Sequence, residues 1–231
     1  MSTFVLVHGG WHGGWCWKDL AALLRAKSHL VYAPSLTGLA DRRHLIDAVQ
    51  GPDTHVEDIV GLITWEDLHD VILVGHSYGG TIISGVASRI PERLARLVYL
   101  DAFVSTQSGV SAAALSPPAR VAEVAAMRRP DGHTGPSGFE RWVSPERAAW
   151  LKTMVTPQPG ICFDRGVTLT GREQEVAERD FILCSRNTSS PFWPFYERYK
   201  DDPNWTCHQI DSLHDAMIEA PMALASLLLR D

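Results

Sequence analysis

The chain has no apolar run that approaches the ~18 residues a membrane span requires, and no block of lysine or arginine. Its 21 basic residues are dispersed among 27 acidic ones for a net charge of −6, which argues against nucleic acid as a partner. There is no CxxC pair. The four cysteines (Cys16, Cys162, Cys184 and Cys207) stand at no metal-ligand spacing from one another or from the ten histidines, so they read as reduced, mostly buried thiols and no metal site is expected. Met1-Ser2-Thr3 lacks the basic segment of a signal peptide and leads straight into a four-residue apolar run, so a cytoplasmic location is expected. No internal repeat or low-complexity tract interrupts the sequence. With 45% apolar and 21% charged residues among 231, the chain is an ordinary globular one. At this length roughly 70% of the unfolded surface can be buried without a staple.

The hydrophobic pattern alternates between two periods. Residues 4–7, 29–33, 71–74, 97–100, 181–184 and 205–210 are short β-type runs, and Val71-Ile72-Leu73-Val74 is apolar throughout, as a strand covered on both faces would be. Between them, residues 17–24, 53–62, 81–90 and 221–229 carry apolar side chains at helical spacing. Alternating strands and helices predict an α/β fold: a mostly parallel sheet with helices on both faces. From about residue 105 to 178 the pattern changes. Seven prolines appear at 117, 118, 130, 136, 145, 157 and 159, with helical pieces at 119–128 and 145–154 and no clear strand. The segment is too long for a simple loop. Residues 1–104 and 179–231 therefore read as the core and 105–178 as a helical cap.

Chemistry concentrates at three places. Gly75-His76-Ser77-Tyr78-Gly79-Gly80 follows a buried strand and opens a helix. A serine at such a sharp turn sits in strained backbone, needs small neighbours, and projects its hydroxyl above the carboxyl edge of the sheet. Val7-His8-Gly9-Gly10-Trp11 follows the first strand, where a backbone N–H can stabilise a developing oxyanion. The amides of Gly10 and Tyr78 are the candidate donors. His214, between the last strand and the last helix, is placed to take the Ser77 proton and return it to a leaving group.

The acid partner of His214 is open at this level. The segment after the strand at 181–184 reads Ser185-Arg186-Asn187-Thr188, with no carboxylate. Asn187 can accept a hydrogen bond but supplies no charge. Asp101 ends the strand next after the nucleophile and supplies a full charge, and Asp201 or Asp202 is a third choice.

Taken together, these stretches resemble the α/β-hydrolase superfamily, in particular its compact branch, without an N-terminal hairpin, that contains hydroxynitrile lyases and plant methyl-ester esterases. The similarity extends to Trp11-His12-Gly13-Gly14-Trp15-Cys16-Trp17, Gly38 to Leu45, Asp53 to Val60, Leu100 to Val104 and Leu213 to Met217. It implies a Ser-His-acid hydrolase without a cofactor, with Ser77 as nucleophile and His214 as base. The branch usually has aspartate where Asn187 stands. Its lyases carry threonine at the position of Gly9 and lysine at that of Asp215, which turns the implication away from lyase chemistry. The expected substrate is a small apolar or aromatic ester, carbamate or activated amide, with Trp11, His12, Trp142 and Trp193 as candidate substrate-binding side chains. A homodimer is left open. The competing readings are a receptor-like ligand-binding protein, which the missing carboxylate would favour, and a cofactor-free lyase or oxygenase on the same fold.

Overall fold

The computed structural model describes residues 1–188 and 190–230; Ser189 and Asp231 lie outside it. Six strands form one sheet: β1 (Thr3–Val7), β2 (Leu30–Tyr32), β3 (Val71–His76), β4 (Leu94–Leu100), and two late strands, Glu178–Cys184 and Thr206–Ile210. Between β4 and the late strands lie β5 (His133–Thr134) and β6 (Gln158–Pro159), a separate antiparallel pair; the late strands are therefore β7 and β8. The main sheet runs β2-β1-β3-β4-β7-β8, and every neighbour pair is parallel. Val5 stands beside Leu73, and Leu73 beside Leu97. All three are buried, as both-face coverage demands.

Helices α1 (Lys18–Ala26), α2 (Pro52–Trp65) and α3 (Gly79–Arg89) make the early crossovers. In α3 every residue from Gly79 to Ser88 is buried. Its residues are apolar or small on every side, which suits the interior. The region between β4 and β7 carries α4 (Pro118–Ala126), α5 (Phe139–Trp142), α6 (Pro145–Met154) and α7 (Ile161–Asp164). After β7 come α8 (Trp193–Tyr199), α9 (Ala216–Glu219) and α10 (Pro221–Leu229). The chain leaves β1 outward to β2 and then returns to β3 on the other side of β1. That reversal opens a crevice at the carboxyl ends of β1 and β3, where the Gly9–Gly10 loop and Ser77 stand.

The structure departs from the sequence reading in definite places. The middle segment does contain strands, β5 and β6. Each has two residues, too short to show alternation, and Pro159 in β6 argues against a strand in any sequence reading. β7 begins at Glu178, three residues before its apolar run, because Arg179 and Asp180 pair with Leu97 and Val98 of β4. Asp180 is buried against Arg96, 3.4 Å away. The short helix α8 and a 3-10 helix at Ala40–Ala48 were not anticipated. The 3-10 helix contains no buried residue, so no apolar stripe marks it.

Candidate active site

Ser77 ends the β3 turn with φ at 55°, a left-handed backbone that costs a non-glycine residue roughly 1–3 kcal/mol. Its carbonyl accepts from Gly80 N–H and Phe103 N–H at 3.1 and 3.2 Å, and its own N–H donates to Leu100 O at 3.2 Å. A Cβ on Gly79 would come within 2.6 Å of Val7 O, and one on Gly75 within 2.6 Å of Gly79 O. The two glycines are thus required by close approach of backbone, which is what lets the strand turn sharply into α3.

Asp101 also holds a left-handed backbone, with φ at 41° at the end of β4. It is fully buried. Its Oδ1 accepts from Cys184 N–H at 3.2 Å, and its Oδ2 lies 2.5 Å from His214 Nδ1. Ser190 Oγ is 3.5 Å from the same Oδ2. His214 is held from other sides too. Its ring stacks on Phe192 at 5.4 Å and 11°. Its carbonyl accepts from His76 Nε2 at 3.0 Å, and its N–H donates to Arg141 O of α5 at 3.2 Å. The middle segment thus clamps the loop that carries His214. Asn187 lies on the cavity wall, and its carbonyl accepts from Trp193 Nε1 at 3.0 Å. Asp202 accepts from Asn204 in the turn between α8 and β8. Of the acids considered from sequence, Asp101 is the one the structure brings to His214.

The glycine loop after β1 is fastened by side chains whose protonation follows from their partners, since a carbonyl oxygen can only accept. His8 Nδ1 donates to Gly9 O (2.8 Å) and its Nε2 accepts from Leu36 N–H (3.0 Å), so the ring is neutral. Burial pushes its pKa down to about 3. His76 donates through Nε2 and is held well below the usual histidine value by burial. His55 Nε2 donates to Thr37 O and its Nδ1 accepts from the Tyr78 hydroxyl at 2.9 Å, which fixes the residue after Ser77. His12 differs. Nδ1 faces Gly10 O at 2.7 Å and Nε2 faces Asp215 Oδ2 at 3.0 Å. Both partners are acceptors, so the ring carries or shares a second proton. Burial works to lower its pKa, but the Asp215 charge and hydrogen bond prevail and raise it.

A cavity of about 320 Å³ opens over Ser77. Gly10 and Tyr78 line it beside Ser77 and His214; Trp11, Trp142 and Phe163 supply flat apolar walls. Trp11 stacks on Trp142 and Phe163 at 5.5 and 5.0 Å. Two of the four expected substrate-binding residues are displaced from this cavity. His12 lies behind the glycine loop, on a narrow recess it shares with Ser77, because both ring nitrogens are engaged there. Trp193 lies outside the lining, with its indole N–H tied to Asn187 O.

Gln158 escaped the sequence reading altogether. Its Oε1 accepts from Trp11 N–H at 2.9 Å, while Trp11 Nε1 donates to Thr134 O, also at 2.9 Å. Trp11, with φ at 64°, is therefore held by the β5–β6 pair. A buried glutamine in a proline-rich stretch gives no sequence signal. Among the described residues, His76, His214 and Asp215 bring potential metal-ligand atoms within 4.8 Å of one another. His76 Nε2 and His214 Nδ1 are engaged by His214 O and Asp101. All four cysteines are unpaired, three buried and Cys207 half-buried.

The model of the "Alpha/beta hydrolase family" matches residues 4–228. The chain belongs to this family. It is 40% identical to a carbendazim hydrolyzing esterase of Nocardioides sp. (strain SG-4G), over 99% of this chain and 98% of that one. It is 32% identical to methylesterase 10 of Arabidopsis thaliana, over 57% of this chain and 46% of that one. An extracellular α/β-hydrolase from a Paenibacillus species superposes with a TM-score of 0.87 at 23% identity, covering 100% of this chain and 98% of the other, a likeness of fold. An α-hydroxynitrile lyase of Arabidopsis is 35% identical over 44% of the chain, so the relatives span esterases and a lyase. Together they support an esterase-type hydrolytic function on this scaffold.

Proposed function

We propose that the protein hydrolyses small carboxylic esters, carbamates among them, through an acyl-enzyme on Ser77. The observation that carries this reading is the 2.5 Å contact between His214 Nδ1 and the buried Asp101 carboxylate, on a histidine that shares the Ser77 cavity. Asp101 holds Nδ1 protonated and leaves Nε2 as the base. His214 takes the Ser77 proton as Oγ attacks the scissile carbonyl, and Asp101 stabilises the imidazolium that results. The new oxyanion accepts from Gly10 N–H and Tyr78 N–H, each donor worth roughly 2.7–4 kcal/mol in such sites. His214 then protonates the departing alkoxide or amine. A water, deprotonated in turn by His214, releases the acid. The stacked walls of Trp11, Trp142 and Phe163 suit a flat aromatic acyl or leaving group. The esterase relative named for carbendazim hydrolysis supports carbendazim as a first substrate to test.

The contact of Asp101 with His214 supports turnover over the receptor-like reading, which rested on the amide at Asn187. Ser77→Ala should remove nearly all turnover of phenyl acetate and carbendazim while the melting profile is kept, and a phosphonate probe should attach to Ser77. Full activity in Ser77→Ala, or activity lost on dialysis against a chelator and restored by zinc, would sink the serine mechanism.

A further inference from the structure

Part of the cavity wall is charged. Arg120 and Glu123 of α4, Arg128 just beyond it, Arg141 of α5 and Asp164 of α7 all line it, so three guanidinium groups face two carboxylates. Arg128 and Asp164 satisfy each other through two bonds at 2.7 and 2.9 Å. Glu123 is shared. Its Oε1 accepts from Arg141 Nη2, and its Oε2 lies 2.8 Å from Arg120 Nη1. Arg141 has a second acid, Glu140 at 3.4 Å, outside the lining and largely in solvent. Arg120 has only its half of Glu123 among the described residues. The Nη1 atom is buried against Glu123, so the donors that a ligand can reach are Nη2 and Nε.

The position of Arg120 matters as much as its charge. The guanidinium lies 5.7 Å from the centre of the Trp11 ring. It lines both the main cavity and the recess that holds Ser77, His214 and Gly10. The other charged groups near the reacting centre are paired and buried: Asp101 is engaged by His214 Nδ1 and Cys184 N–H, and Asp215 by His12 Nε2. A planar guanidinium with spare donors, edged by aromatic faces, is matched by a carboxylate on a flat ring, which it can grip through two parallel bonds.

We propose that Arg120 is a specificity-determining anion anchor, and that the preferred substrates are aromatic esters bearing a second, free carboxylate. This rests on the hydrolase reading above and adds the substrate class to it. The test compares the monomethyl esters of the three benzenedicarboxylic acids with their neutral dimethyl esters. Turnover is read as kcat/KM on the wild type, and binding is measured by calorimetry on Ser77→Ala. At least one hemiester should be preferred by at least about tenfold, the size of a charge-assisted hydrogen bond. Arg120→Gln should bring that ratio to about one, and Arg120→Lys should keep part of it. Preference for the dimethyl ester across the panel in the wild type, or a hemiester preference that survives in Arg120→Gln, would overturn the anchor. If no ester of either series is turned over, and phenyl acetate and carbendazim are not either, the hydrolase reading fails. The calorimetric ratio, Ser77→Ala against Ser77→Ala/Arg120→Gln, then still decides on Arg120 by the same criteria.

Discussion

Asp101 and Asn187 compete for one role, and charge decides between them. In the proposed mechanism, proton transfer from Ser77 leaves an imidazolium in a largely buried site, where a dipole stabilises much less than a carboxylate. Asp101→Asn should lower kcat by at least about a hundredfold with little change in KM, the signature of an interaction made in the transition state. Asn187→Asp should do little or harm. The reverse pattern, a silent Asp101→Asn and an Asn187→Asp that gains activity, would move the acid to the end of β7. The placement of Ser77 and His214 at loops above the sheet edge was legible from sequence because strand, turn and helix signals bracket them. The partner of His214 was only half legible: a strand end in the sequence does not say which neighbouring strand carries a side chain to the histidine. The β4–β7 register does, placing Leu100 beside Ile182 and Asp101 one residue past the end of its strand.

The weakest sequence signals mark the elements that hold Trp11. Sheet and core helices were legible because burial on both faces makes long apolar runs; β5 and β6 have two residues each and are defined by what they hold. Gln158 accepts from Trp11 N–H, and Thr156 N–H donates to Trp11 O at 2.9 Å, so the loop carrying Gly10 is shaped from the middle segment. Gln158→Leu leaves a buried N–H unpaired, at a cost of about 1–3 kcal/mol. Because Trp11 follows Gly10 directly, the proposed oxyanion donor should lose its aim. The expected outcome is a several-degree drop in melting temperature and a kcat that falls more than KM rises. A variant with lower stability and unchanged kcat would show that the pair braces the cap without shaping the loop.

On the scale of the whole molecule, the buried histidines tie stability to pH. Composition counted ten of them without saying which titrate; only the tertiary partners do. His8, His55 and His76 are neutral in the folded state and their pKa values are lowered, chiefly by burial. In the unfolded chain each takes up a proton near pH 6.5. Below that pH the unfolded state binds more protons, so stability falls as pH falls, by up to about 1.4 kcal/mol per unit for each histidine. For His8 the loss continues to about pH 3. His12 works in the opposite sense. Its raised pKa contributes stability that is complete below pH 6.5 and is lost as pH rises through the folded value. Three groups against one should give a melting temperature that drops steeply from pH 6 to 4, with a shallower decline on the alkaline side. Chemical denaturation at half-unit steps measures the slope, which should correspond to about two or more protons taken up on unfolding near pH 5. A flat profile between pH 6.5 and 4.5 would mean that the rings around the glycine loop are charged in the fold, and the tautomers that fasten Gly9, Leu36 and Tyr78 would have to be reassigned.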